Sequence, residues 1–223
     1  MDVYVRGSEK LTADQPMPYP SCTDFTSGLQ AGDKIDFKVG EASAGTFSVS
    51  DLPNNDAILL LVLYRHDTLT TAVKFQSHVF ANLLNAQVAI IDAYKGTLHA
   101  MPRIMDMRTT APGGPDGHAS EELRFDSVVA VNPGVYEVEL HGQGGDTRAP
   151  LRAPLVALNR ESYVVLRTGV EAQQGPSFPE ELFVYPRSDP SRLPHSAAGA
   201  PRASAWCLLL GAAAAAAAAG AGR

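Results

Sequence analysis

Between positions 2 and 187 the apolar residues come mostly in runs of four to nine, bounded by Gly, Pro, Asn or Asp. That is the spacing of short β-strands. It predicts strands over Val3–Val5, Lys34–Val39, Thr46–Val49, Ala57–Tyr64, Ala72–Phe80 and Gln87–Ala93 in the first part of the chain. In the second part it predicts Leu123–Val131, Val135–Leu140, Pro154–Leu158, Tyr163–Gly169 and Glu181–Tyr185. Helical periodicity is almost absent, and the sole helix candidate, His78–Leu84, is too short to organise a fold.

Two kinds of strand are present. Leu123–Val128 and Val135–Leu140 alternate apolar with charged residues, so they cover a core on one face only. Ile58–Tyr64 is continuously apolar, as expected of a central strand with a layer on each face. Both environments occur in an all-β sandwich of the immunoglobulin or transthyretin kind. The stretches 8–30 and 97–122 read as long loops and are the expected contact surfaces.

Composition narrows the class. Eighteen Lys and Arg against 24 Asp and Glu leave a formal charge of −6, which excludes a generally basic nucleic-acid-binding surface. With 19 Gly and 16 Pro the chain carries the turn formers of a loop-rich β protein. Its two cysteines, Cys22 and Cys207, support neither a disulfide framework nor a cysteine zinc site.

Three segments recur in order. Asp2–Gly7 returns loosely as Asp92–Gly96, Ala31–Val39 as Asn132–Val138, and Asn54–Leu61 as Asn159–Leu166. The gaps are 89 (Gly7 to Gly96), 102 (Gly32 to Gly134) and 105 residues (Asn54 to Asn159), growing as surface insertions would make them grow. The predicted organisation is a first sandwich repeat at 1–86 and a second at 87–187, then a Pro/Ser/Ala linker at 188–205 and an Ala-rich tail at 206–223.

In Asp2–Gly7 and Ala31–Val39 the chain resembles a duplicated β-sandwich family of cell-surface and secreted proteins known only as a domain of unknown function. Copies in that family open on an Asp-Val-Tyr-Val-x-Gly strand and continue through Ala-Gly-x-x-x-Phe/Tyr-x-Val. The resemblance implies a fold and an extracytoplasmic setting, and no chemistry. In the family a His-Ala-Ser-like segment precedes the opening strand, whereas here only Gln87–Ile91 precedes Asp92.

The C-terminal part is unlike the rest. Trp206–Gly222 is an uncharged run of 17 residues, mostly alanine, preceded by small residues. It resembles the tail of a GPI-attachment signal, with Ser196, Ala198 and Gly199 as attachment candidates. As a helix it would reach about 25 Å, short of the roughly 30 Å hydrocarbon core, so a spanning role is marginal. Met1–Gly7 reads as a strand and not as a secretory leader, so display outside the cytosol is expected to need a leader upstream of Met1. An Ala-rich extension with no membrane role is the competing reading.

Candidate chemistry is thin. The six histidines are scattered, with no His-x-His and no His-Glu-x-x-His, so no metal or cofactor is expected. No nucleophile elbow or phosphate-binding loop occurs. The ligand-binding candidates are Arg65, His66 and Asp67, which close the longest apolar strand, together with His99. The same polar cluster also reads as an ordinary solvated turn. The expected function is therefore non-enzymatic: a cell-surface or lumenal sandwich that binds a protein or glycan, or serves structurally. The alternatives are a carbohydrate-binding or hydrolytic protein with a cleft at Arg65–Asp67, and a subunit of a larger membrane assembly.

Overall fold

Burial alternates along the strands with the period of two that the sequence pattern requires, and the faces so defined stack in four layers. The computed structural model describes residues 1–53, 57–144 and 148–194, and the layers lie within Met1–Leu193. The first layer contains β1 (Asp2–Val5), β2 (Glu9–Lys10), β3 (Lys34–Val39) and β4 (Ala42–Ser48), in spatial order β2-β1-β3-β4. The second is the hairpin of β5 (Ala57–Arg65) and β6 (Val73–Ala81).

Beyond the hairpin lie two further sheets. One orders β7 (Ala86–Asp92), β10 (Ser127–Val131), β13 (Ser162–Val170) and β14 (Phe178–Tyr185) as β10-β7-β13-β14. The other orders β8 (Ala100–Thr110), β9 (His118–Glu122), β11 (Gly134–Gly142) and β12 (Leu151–Ala157) as β12-β11-β8-β9. Every pairing is antiparallel except β7 with β13. The chain is thus all-β and layered as a sandwich, as its apolar spacing predicts.

Alternation explains the stacking. In β5, Leu59, Leu61 and Leu63 pack against Val3, Val5, Ile35 and Phe37 of the first sheet. Leu60, Val62 and Tyr64 face the other way, onto Ile91, Val164 and Leu166. The continuous apolar run therefore does serve two layers, but β5 pairs only with β6 and is not central in a sheet. In β7 and β13 the same rule sends Val88, Ile90, Tyr163 and Val165 into the largest cluster, against Ile104, Val138 and Leu155.

Three expectations are corrected. His78–Ala81 closes β6 in a nine-pair ladder with β5, so the short helix loses to strand pairing. Leu123–Val131 is not one strand: the chain leaves β9, turns at Asp126 with φ 58° and enters β10 in a different sheet. Aspartate tolerates that left-handed backbone. Finally, the expected loop 97–122 contains β8, an eleven-residue inner strand of its sheet. Pro102 hides it in the sequence. The proline sits on the side facing β9, where its carbonyl accepts from Leu123 N at 2.9 Å beyond the last β9 pair, so no ladder hydrogen bond to β11 is lost.

The outer sheets share one plan. Read from the short strand, the first runs β2-β1-β3-β4 and the last β9-β8-β11-β12, and each is followed in the chain by a hairpin, β5-β6 or β13-β14. Two of the three sequence matches join elements that correspond in this order, β3 with β11 and β5 with β13, but the offset of 102 sets core-facing Ile35 and Phe37 against Glu137 and Glu139, which alternate away from core-facing Tyr136 and Val138. The match of Asp2–Gly7 to Asp92–Gly96 joins no such pair: Asp2–Val5 is β1, whose counterpart by strand order is β8, whereas Asp92 closes β7. The β5–β13 match also needs an even offset instead of 105, because Leu59 and Tyr163 both face the outer sheet of their own half.

Candidate functional site

The sequence candidates Arg65, His66 and Asp67 form the turn of the β5–β6 hairpin. One Asp67 carboxylate oxygen accepts from Leu69 N at 2.8 Å, Thr70 N at 2.7 Å and Thr70 Oγ1 at 3.1 Å. The other lies 2.9 Å from His66 Nδ1. The His66 contact first, then these N–H donors, hold the carboxyl well below the usual Asp range. Arg65 donates to the carbonyls of Thr70 and Gln174, each at 2.9 Å. All three polar groups are occupied in stapling the hairpin, which is the work of an Asx turn.

His99 is exposed elsewhere, on the approach to β8, and its carbonyl accepts from Gln143 N at 2.8 Å. No hydrogen bond among the described residues joins it to the Arg65–Asp67 turn. The anchor candidates Ser196, Ala198 and Gly199 lie outside the described residues. Among those described, no helix is long and apolar enough to cross a membrane, and no group of three or more His, Cys, Asp or Glu side chains is placed to hold a metal.

The structure assembles a second polar cluster from distant parts of the chain. Arg167, in the middle of apolar β13, has a side chain only 4% exposed. Its guanidinium donates to Glu180 at 2.7 Å, Asp92 at 3.1 Å and the Leu98 carbonyl at 2.6 Å, and lies 4.4 Å from the centre of the Tyr94 ring. Tyr94 donates to Glu171, which also accepts from Thr97. Burial, then the Glu171 contact, pushes the Tyr94 phenol up to about 12.

Gly169 makes this register available. At φ 126° it breaks the β13–β14 ladder, and any Cβ there would strike the Pro179 carbonyl. The cluster borders a cavity of about 350 Å³ whose wall includes Leu98, Leu140 and Phe178. Arg167 is paired with Glu180 and Asp92, and Glu171 is held by Tyr94 and Thr97. The only sequence signal was an arginine inside an apolar run.

The larger concave feature is a groove of about 730 Å³ along the edge of β5 that faces away from β6. The first sheet lines one side through Val3, Ile35 and Phe37, and Tyr163, Val164 and Tyr185 line the other. Residues 21–29, which form no strand, also line the groove and are tied to the second half by Tyr185 Oη, which donates to Asp24 at 3.1 Å. Burial in this lining pushes the Cys22 thiol up to about 11, with nearby Asp24 adding to the shift.

The groove exposes backbone as well as apolar side chains. His66 N donates to Ala72 O at 2.9 Å, which makes 66 and 72 a hydrogen-bonded pair. By antiparallel alternation Tyr64, Val62 and Leu60 then bond to β6, while the N–H and C=O of Leu59, Leu61 and Leu63 point into the groove. Among the described residues no backbone partner meets these groups. The groove was not legible beforehand, because an unpaired edge is a property of what lies beside a strand. Comparison with family models, with curated proteins and with solved structures gives no match to this chain.

Proposed function

We propose that the protein is a non-enzymatic β-sandwich binding module, built from two related repeats and displayed at a cell surface or in an organelle lumen. Its binding surface is the groove beside β5. The observation that carries this reading is the coincidence, in one 730 Å³ groove, of apolar walls and an unpaired strand edge. Ligand sites are mostly apolar concavities with a few placed polar groups, and here those groups are backbone ones.

The matching strand orders of the outer sheets support the two-repeat origin. Display rests on the resemblance of Asp2–Gly7 and Ala31–Val39 to the surface family, and on the uncharged run Trp206–Gly222, with attachment at Ser196, Ala198 or Gly199.

The test uses the apolar fluorophore 1-anilinonaphthalene-8-sulfonate on the full chain. Ile58 lines the groove at 56% exposure, so glutamate is tolerated there. Dye affinity should fall about tenfold in Ile58→Glu, which removes an apolar contact and repels the sulfonate, equivalent to roughly 1.4 kcal/mol, and should not change in His66→Ala/His99→Ala. Dye binding that follows His66 and His99, or is absent from the native protein, would contradict the groove as the site. Recovery of the tagged chain in the cytosolic fraction would contradict display.

A further inference from the structure

We infer that the groove is a strand-acceptor slot: it takes one extended, apolar polypeptide segment from another chain, laid parallel to β5 as a new strand. This rests on the groove being the binding surface and specifies its ligand.

The second half of the molecule supplies the template. There the strand corresponding to β5 is β13, and the edge that β5 leaves open is occupied in β13 by β7, in parallel. The same backbone groups are involved. The carbonyls of Glu161 and Arg167 accept from Gln87 and Ala93 of the β7 segment, so it is the odd-numbered residues of β13 that bond to β7. Those residues, Tyr163 and Val165 among them, point their side chains at the outer sheet. In β5 the residues with free groups are again those whose side chains point at the outer sheet, Leu59, Leu61 and Leu63. Edge, face and phase all agree.

The neighbouring segment agrees too. β7 is followed in its sheet by β10, which leads directly into β11. Residues 21–29, which line the groove without pairing to β5, lead into β3, the counterpart of β11. In the first half both β5 and this segment line the slot, and no strand of the described residues pairs with that edge of β5.

The template also sets the chemistry of the occupant. β7 reads Ala86-Gln87-Val88-Ala89-Ile90-Ile91-Asp92, and Ala86–Ile91 are all buried because layers cover both faces. A segment in the β5 slot meets Val3, Ile35 and Phe37 with one face and Val164 and Tyr185 with the other. It must then be apolar at successive positions, as strands covered on both faces are. A nine-residue β5 sets its length at about seven to nine residues. Main-chain hydrogen bonds supply affinity and the two walls supply specificity, the logic of β-augmentation.

The experiment titrates a fluorescein-labelled peptide Ala-Gln-Val-Ala-Ile-Ile-Asp, with charged solubilising ends, into the full-length protein. Anisotropy reports binding, and amide hydrogen exchange reports the site. The expected result is saturable binding, with exchange at Leu59, Leu61 and Leu63 slowed at least about tenfold at saturation. A peptide N-methylated at its alanine-4 and isoleucine-6, the positions of Ala89 and Ile91 whose N–H groups face the acceptor strand, should bind about tenfold or more weakly.

Equal binding of the N-methylated peptide, or binding without slowed exchange at these three residues, would overturn the strand proposal. If the apolar dye binds and the peptide does not, the strand proposal falls and the groove reading stands. If neither binds, both fall. Leu59, Leu61 and Leu63 already protected in the protein alone, with a dimer by sedimentation, would show a second copy in the slot and overturn the proposal.

Discussion

Arg167→Ala should destabilise the protein by about 3–5 kcal/mol, because it removes one partner of a buried ion cluster and leaves the others unpaired. Glu180 is 5% exposed at its side chain and sits 2.7 Å from the Arg167 guanidinium, and the Leu98 carbonyl would lose its donor as well. Arg148, 3.0 Å from the other Glu180 oxygen, keeps that carboxylate from being wholly uncompensated, which places the cost inside the range and not beyond it. Arg167→Lys keeps the charge but not the planar fork that reaches Glu180, Asp92 and Leu98 together, so it should recover only part of the loss. Urea unfolding would show this as a lower midpoint with the slope unchanged. A midpoint within error of the native one would mean that the cluster is not the structural lock described above.

Tyr163→Ala should cost a similar amount, about 3–5 kcal/mol, through lost apolar contacts and the cavity left among Val88, Leu155 and Val184. Tyr163 is fully buried, and its hydroxyl accepts from Leu158 N at 3.1 Å and pairs with Ser188 Oγ at 2.8 Å. Tyr163→Phe keeps the ring and loses both hydrogen bonds, leaving a buried N–H without a partner, for about 1–3 kcal/mol. The gap between the two variants separates packing from polar satisfaction. Equal effects would mean that the hydroxyl, and not the ring, holds the interface of the two sheets.

Much of this architecture could be read directly from the residues. Lys34–Val39, Ala57–Tyr64 and Tyr163–Gly169 announce themselves as strands because apolar, β-branched and aromatic residues follow one another between turn formers. β8 does not, since Pro102, Arg103, Asp106 and Arg108 interrupt its apolar positions, and its place between two strands compensates for the proline only in three dimensions. The corner at Asp126 was illegible for a related reason: Leu123–Val128 keeps its alternation while the chain changes sheets.

The candidate site divides in the same way. Arg65, His66 and Asp67 stand out as polar residues at a strand end, but their hydrogen bonds run to Thr70 and Gln174, which makes them a staple. Arg167 draws on Asp92, 75 positions away, so only the fold could reveal its network. The groove depends on topology alone. Nothing in Ala57–Arg65 distinguishes a strand with one neighbour from a strand with two.

Residue-resolved amide hydrogen exchange along β5 in the unliganded full-length protein tests the open edge most directly. The amides of Leu60, Val62 and Tyr64, bonded to β6, should be strongly protected, and those of Leu59, Leu61 and Leu63, turned to the groove, should exchange far faster although their side chains are partly buried. Uniform protection across all six would mean that β5 already has a second neighbour, and there would be no acceptor edge.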